Sequence, residues 1–128
     1  IRYHSQEIMI SHPEITIEHQ VMEDGDSLPM ETRTAIFRIL QESMNNILRH
    51  SHADLVKVSL TLDEDAITLD VNDNGKGFEL PDDWLELARK GHLGLVGMRE
   101  RADEVNGKLL IRSSETHGTQ VRVIVPYP

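Results

Sequence analysis

The sequence predicts a single compact α/β domain, on three observations: 128 residues with 38% hydrophobic content, two stretches with apolar residues at three- and four-residue steps, and several short runs alternating apolar with polar. A chain of this length buries roughly two-thirds of the surface its unfolded form exposes, enough for one core. The formal net charge of -9 argues against a general nucleic-acid or anionic-membrane surface and leaves room only for a local basic pocket. The absence of cysteine removes disulfides, thiolate metal sites and thiolate nucleophiles. No apolar run approaches the roughly 20 residues of a membrane span, and no signal-peptide pattern opens the chain, so it is expected to be soluble as it stands. It begins at Ile1 without a methionine and is expected to be a piece of a longer protein.

The elements follow in order. Residues 1–11 have apolar positions of uncertain period and run into His12-Pro13, where proline biases the preceding residue away from helix. They are expected to form a frayed lead-in. Ile15, Ile17 and Val21 with interleaved polar residues predict a first strand, closed by a turn at Glu23-Asp24-Gly25-Asp26. The longest helix is predicted from about Pro29 to His50, with Pro29 suited to its first turn and Glu31 to the positive end of its dipole. Its core stripe is Ile36, Ile39, Leu40, Met44, Ile47 and Leu48. A second stripe, Arg38, Glu42, Asn45, Asn46 and Arg49, is polar, which a solvated face would also be. Two adjacent asparagines are nonetheless poor helix formers in the middle of a helix face. Asn46 offers a neutral oxygen to a hard cation, Glu42 a charged oxygen one turn earlier, and Arg49 a positive charge for an anion. The stripe therefore suits a metal-phosphate. His50 and His52, two residues apart, do not share a helix face and make a poor metal pair.

Val56, Val58, Leu60 and Leu62 alternate with Lys57, Ser59 and Thr61 and predict a strand joined through Asp63-Glu64-Asp65 to the strand Ile67 to Asp73, as an antiparallel hairpin. In that last strand Ile67, Leu69 and Val71 share the phase of Asp73, so a carboxylate points into the core. A buried carboxylate without donors is costly, and a ligand's amino group would serve it. Asp73-Asn74-Gly75 is also common turn chemistry. Gly75 and Gly77 would allow positive φ or close approach to such a ligand. Residues 74–93 show no sustained period, with a short helix possible at Trp84 to Lys90, and read as a lid or loop. Gly94-Leu95-Val96-Gly97 opens a helix with core face Leu95, Met98, Ala102 and Val105 and stop Asn106-Gly107. A glycine-opened helix start presents N–H groups to an anion or serves as a hinge. Leu109 and Ile111, then Val121, Val123 and Val125, supply two closing strands, with Thr119 in phase with the valines and so directed toward Asp73.

Four blocks, in this order and spacing, resemble the ATP-binding domain of bacterial sensor histidine kinases: Arg38-Ile39-Leu40-Gln41-Glu42-Ser43-Met44-Asn45-Asn46-Ile47-Leu48-Arg49-His50, Asp73-Asn74-Gly75-Lys76-Gly77-Phe78, Gly91-His92-Leu93-Gly94-Leu95-Val96-Gly97-Met98-Arg99-Glu100-Arg101, and Gly118-Thr119. The Gln-Glu opening and the Gly-Met-Arg-Glu-Arg ending look most like the nitrate-sensor subfamily. His92 stands where many members have glycine, which stiffens that part of the loop. The resemblance implies a Bergerat-type two-layer α/β sandwich, a mixed sheet with helices on one face, shared with gyrase, chaperone and mismatch-repair ATPases. It assigns Asp73 to the adenine amino group, Gly75 and Gly77 to the adenine pocket, Asn46 to magnesium, and Arg49, His50, Gly94 and Gly97 to the phosphates of ATP. Thr119 would support the adenine site. Glu42 is either a water-activating glutamate, as in the hydrolytic relatives, or structural, and Met98 and Phe78 read as packing residues.

Residues 1–14 are then expected to be the lead-in from an upstream dimerisation region and 15–128 the ATP-binding domain. The family's phosphoacceptor histidine lies on that upstream region, and none of this chain's seven histidines has its helical His-Asp/Glu setting. The implied partners are that dimerisation segment and a response regulator, in a homodimer at the cytoplasmic side, with no nucleic acid. A histidine-kinase catalytic domain, an anti-sigma-type serine kinase and a nucleotide-binding interaction module remain open, the paired asparagines and the Gly-Met-Arg-Glu-Arg block favouring the first.

Overall fold

The structure is a computed structural model that describes residues 2–21, 28–78, 84–89 and 93–127. The elements are α1 (Arg2–Ser11), β1 (Thr16–Val21), α2 (Met30–Asn46) with a π-helical turn (Ile47–Ser51), β2 (Leu55–Leu62), β3 (Ala66–Asp73), α3 (Trp84–Arg89), α4 (Leu93–Glu104), β4 (Lys108–Ser114) and β5 (Gly118–Pro126). The sheet order is β1-β2-β3-β5-β4, with β1 parallel to β2 and every other pair antiparallel. It is a mixed sheet, as expected.

Strand alternation sorts side chains onto two faces. The register pairs Val58 with Val71, Leu60 with Leu69, Leu69 with Val123 and Val71 with Val121, so one face is a continuous aliphatic surface. Ile39, Leu40 and Met44 of α2 and Leu95, Met98 and Ala102 of α4 bury their stripes in the same core. Each fully buried aliphatic side chain contributes about 1.5 to 3 kcal/mol relative to exposure. Ser43 is the small residue between the two helices: its hydroxyl donates to the Ile39 carbonyl at 2.8 Å and lies 3.7 Å from Met98 Sδ. The opposite sheet face carries Lys57, Ser59, Asp70, Asn72, Gln120 and Arg122.

The N-terminal segment departs from expectation, since residues 2–11 form a helix and not a frayed lead-in. Ile8 is buried in the core, while Ile10 is 81% exposed. Ile8, Met9 and Ile10 are consecutive and so cannot share a helix face, which is why no helical period shows in the sequence. The His12 N–H closes the helix on the Ile8 carbonyl at 2.8 Å, ahead of Pro13.

Helix α2 starts where proline predicts it, the Arg33 N–H bonding the Pro29 carbonyl at 3.1 Å. Its α-helical part ends at Asn46, and the path continues as the π-turn, closed by His52 at φ 53°. Helix α4 stops as expected: Asn106 takes φ 58° and the Gly107 N–H donates to the Ala102 carbonyl at 2.7 Å. Asp63 caps the β2–β3 hairpin by accepting the Asp65 and Ala66 N–H groups, both at 2.8 Å. Helix α3 fills the short helical possibility. The predicted turn at Glu23 to Asp26, the lid residues 79–83 and 90–92, and His92 with them, lie outside the described residues. No helix among the described residues is long and apolar enough to cross a membrane.

Candidate functional site

A cavity of about 390 Å³ opens where the ends of β3 and β5 meet the last turns of α2 and the start of α4. Val71, Val121, Leu95 and Phe78 make its apolar walls, while Asp73, Thr119, Asn46, Glu42, Arg49 and Lys76 are polar. Apolar walls with a few convergent polar groups suit a flat organic ligand with a charged end.

Asp73 is 7% exposed. Its Oδ1 accepts the Gly75 N–H at 2.9 Å, and the Thr119 N–H also donates to the carboxylate. Burial pushes its pKa up, against the lowering effect of the two backbone donors. A carboxylate has about four lone-pair sites, so two donors leave it with capacity on the cavity side.

The glycines serve this carboxylate in ways the sequence did not distinguish. Among the described residues the positive-φ glycine is Gly118, at 81°, and not Gly75 or Gly77. A Cβ at Gly118 would strike the Asp73 backbone carbonyl, so this position demands glycine twice. A Cβ at Gly77 would strike the carbonyls of Ser114 and Gly118. Gly77 is therefore small for the sake of the protein's own β4–β5 turn. Gly75 contributes its N–H to Asp73.

Two anchors escaped the sequence reading. The Asn74 side-chain oxygen accepts the N–H groups of Asp54 and Leu55, both at 3.1 Å, which ties the loop after β3 to the start of β2. Ser113, facing Thr119 across the β4–β5 ladder, accepts the Phe78 N–H at 2.8 Å and lies 2.8 Å from Thr119 Oγ1. Phe78, expected only to pack, also lines the cavity. Met98 packs in the core.

The polar stripe of α2 divides into two that share Glu42. Glu42, Asn46 and Arg49, at steps of four and three, line the Asp73 cavity. Arg38, Gln41, Glu42 and Asn45 line a neighbouring groove of about 660 Å³ with Arg101 and Gly97. Gly94 lies in both, and a Cβ there would collide with the Glu42 carboxylate. Gly97 is brought to the groove and not to the cavity, and a Cβ there would meet nothing within 4 Å. The side chain of His50 lies outside the described residues. No cluster of three or more His, Cys, Asp or Glu that would hold a metal occurs among the described residues. Asn46 and Glu42 nevertheless give two oxygen donors one turn apart in one cavity, a set that fits magnesium, which takes few protein ligands and completes its shell with phosphate and water.

Residues 31–128 match the family described as histidine kinase-, DNA gyrase B- and HSP90-like ATPase. The oxygen sensor histidine kinase NreB of Staphylococcus carnosus is 42% identical over 96 residues, covering 75% of this chain and 26% of that protein. The sensor histidine kinase LiaS of Bacillus subtilis is 38% identical over 112 residues, 88% of this chain and 29% of that protein. The chain thus spans between a quarter and a third of the length of these curated relatives. The histidine kinase domain of a blue-light activated histidine kinase from Erythrobacter litoralis superposes with a TM-score of 0.78 at 22% identity, over 96% of this chain and 57% of that one, a likeness of fold.

Proposed function

The chain belongs to the family of histidine kinase-, DNA gyrase B- and HSP90-like ATPases, as the ATP-binding domain of a two-component sensor histidine kinase, and from that premise we propose that it holds Mg-ATP in the Asp73 cavity and donates the γ-phosphate to a histidine of a dimerisation segment elsewhere in the full-length protein. The observation that carries this reading is the half-satisfied Asp73 carboxylate in an apolar-walled cavity that Glu42, Asn46 and Arg49 also line. Asp73 accepts from the adenine amino group, with Thr119 beside it, while Val71, Val121, Leu95 and Phe78 flank the base. Gly75 and Gly77 shape that end by fixing the loop. Asn46 and Glu42 hold magnesium, which supplies charge neutralisation between the phosphates. Arg49 and Lys76, with the backbone at Gly94, face the phosphates, and His50 keeps the phosphate role that the family resemblance implies for it. Glu42 meets Gly94 and so sits between the cavity and the groove beyond it, which suits a positioning role as well as an acid–base one.

Residues 1–14, including α1, belong in this reading to the connection from the dimerisation region, and 15–128 form the catalytic domain of a cytoplasmic homodimer that passes its phosphoryl group to a response regulator. Transfer depends on placing the acceptor in line with the γ-phosphate, and such positioning contributes about 7 to 11 kcal/mol in favourable cases. The chain alone with labelled Mg-ATP is therefore expected to leave its own histidines unlabelled, and to label a supplied dimerisation segment of its parent slowly, in acid-labile form. Label on its own histidines at a comparable rate would sink the proposal, and acid-stable label on serine would favour an anti-sigma-type kinase.

A further inference from the structure

Ser113 lies on the edge strand β4, outside every motif that marks the site, yet its hydroxyl is the point where three segments meet. Residues 77 and 78 lie in the segment that follows β3, Ser113 stands on β4 and Thr119 on β5, and the ladder pairs Ser113 with Thr119 directly. Ser113 Oγ accepts the Phe78 N–H at 2.8 Å, which leaves its single proton to donate. Two acceptors stand near: Thr119 Oγ1 at 2.8 Å and the Gly118 carbonyl at 3.4 Å. The first is the usual length of an O–H···O bond and the second is well beyond it. Thr119 Oγ1 is therefore the better placed acceptor for the Ser113 proton, in a hydroxyl pair whose geometry allows either direction. The Thr119 hydroxyl makes no other hydrogen bond among the described residues and lines the cavity, so with the Ser113 proton on Thr119 its own proton is left for the ligand.

We propose that Ser113 is a specificity-determining residue that sets the polarity of Thr119, so that Asp73 and Thr119 present an acceptor and a donor side by side and select adenine over guanine. The inference rests on the nucleotide reading above. Adenine offers a donating 6-amino group next to the accepting N1, which matches this pair, directly or through a bridging water. Guanine and hypoxanthine reverse both: their O6 accepts and their N1–H donates. Acceptor would then meet acceptor and donor meet donor, and a polar site left unpaired in this way rejects a ligand far more strongly than a missing methylene does. Without the Ser113 proton, Thr119 is free to rotate and accept, and half of the discrimination is lost.

The test is calorimetric titration of ATP, inosine triphosphate and 1-deaza-ATP, in which N1 is replaced by C–H, into the chain and into its Ser113→Ala and Ser113→Thr variants. The unaltered chain is expected to bind 1-deaza-ATP about 10-fold and inosine triphosphate about 100-fold more weakly than ATP. In Ser113→Ala the preference for ATP over inosine triphosphate falls from about 100-fold to about 10-fold, because Thr119 can then turn to accept from the hypoxanthine N1–H, while Ser113→Thr, which keeps the hydroxyl, restores it. If alanine prevents folding, the near-isosteric Ser113→Cys, with a weaker donor, must show the same fall in smaller measure. Equal affinity of the unaltered chain for ATP and 1-deaza-ATP would overturn the inference. So would a Ser113→Ala variant that weakens ATP and inosine triphosphate equally, since Ser113 would then only hold the Gly77-Phe78 backbone. ATP binding that is absent, or indifferent to Asp73, would instead overturn the nucleotide reading itself.

Discussion

Asp70 and Asp73 stand three residues apart on β3, 8% and 7% exposed, on opposite faces of the sheet. Asp70 has its partners: Oδ2 takes Arg122 Nε at 2.7 Å and Nη2 at 2.6 Å, and Oδ1 takes the amides of Gln120 at 2.9 Å and Asn72 at 3.3 Å. Arg122 is its direct cross-strand neighbour, so the pair ties β3 to β5 in one register. Asp73 has two backbone donors and an open cavity in front of it. Two carboxylates of equal burial thus have opposite meanings, because the first is saturated and the second retains unspent accepting capacity. Burial by itself does not mark a site; a buried acceptor that the protein leaves incomplete does.

The largest expected effect separates the two directly. Asp73→Asn keeps a side-chain oxygen for the Gly75 N–H, which turns the amide NH₂ toward the cavity, where a donating amino group would meet a donor. ATP affinity is expected to fall about 100-fold or more with the fold intact, as read by calorimetry and circular dichroism. Unchanged affinity would erase the contrast. Asp70→Ala is the converse: removing one partner of a buried ion pair costs about 3 to 5 kcal/mol, but the Arg122 side chain, 43% exposed, can turn to water, so about 2 kcal/mol is expected in urea unfolding. Nucleotide affinity of the folded molecules should hardly change. A variant that lost ATP binding while keeping its stability would make Asp70 part of the site.

A smaller effect sharpens the contrast within the cavity. Asn46→Ala is expected to weaken Mg-ATP binding about 10-fold and metal-free adenosine hardly at all, since it removes a cation ligand and no base contact. Equal losses for both ligands would contradict that role. The smallest effect is in pH dependence. Burial raises the Asp73 pKa, so the native state holds this proton more firmly than the unfolded chain. Stability from this group is then highest when the carboxyl is protonated, and it falls as pH rises from the unfolded pKa through the raised native one. Urea titrations of the unaltered chain and Asp73→Asn across that acidic window should show their stability difference drifting against the unaltered chain as pH increases. A drift in the other direction would mean that the backbone donors outweigh burial.

What the sequence by itself determined is what repeats locally. The stripe of α2, the stop at Asn106-Gly107, the β2–β3 hairpin and the inward phase of Asp73 and Thr119 are all periods of two or about 3.6 residues, readable within one element. The grouping of Glu42, Asn46 and Arg49 was legible for the same reason. Tertiary structure decided what depends on contacts distant in sequence. Asp70 reads as an ordinary outward polar residue until Gln120 and Arg122, 50 and 52 positions away, close over it. Ser113 gains its role from Phe78, 35 positions earlier, and Gly77 owes its smallness to a turn on another hairpin. Helix α1 had no visible period because Ile8, buried in the core, stands consecutive with Met9 and the exposed Ile10, and the shared stripe of α2 parted into cavity and groove only when Gly94 was laid against Glu42. Alternation tells which way a side chain points, but only the packed fold decides what it meets there.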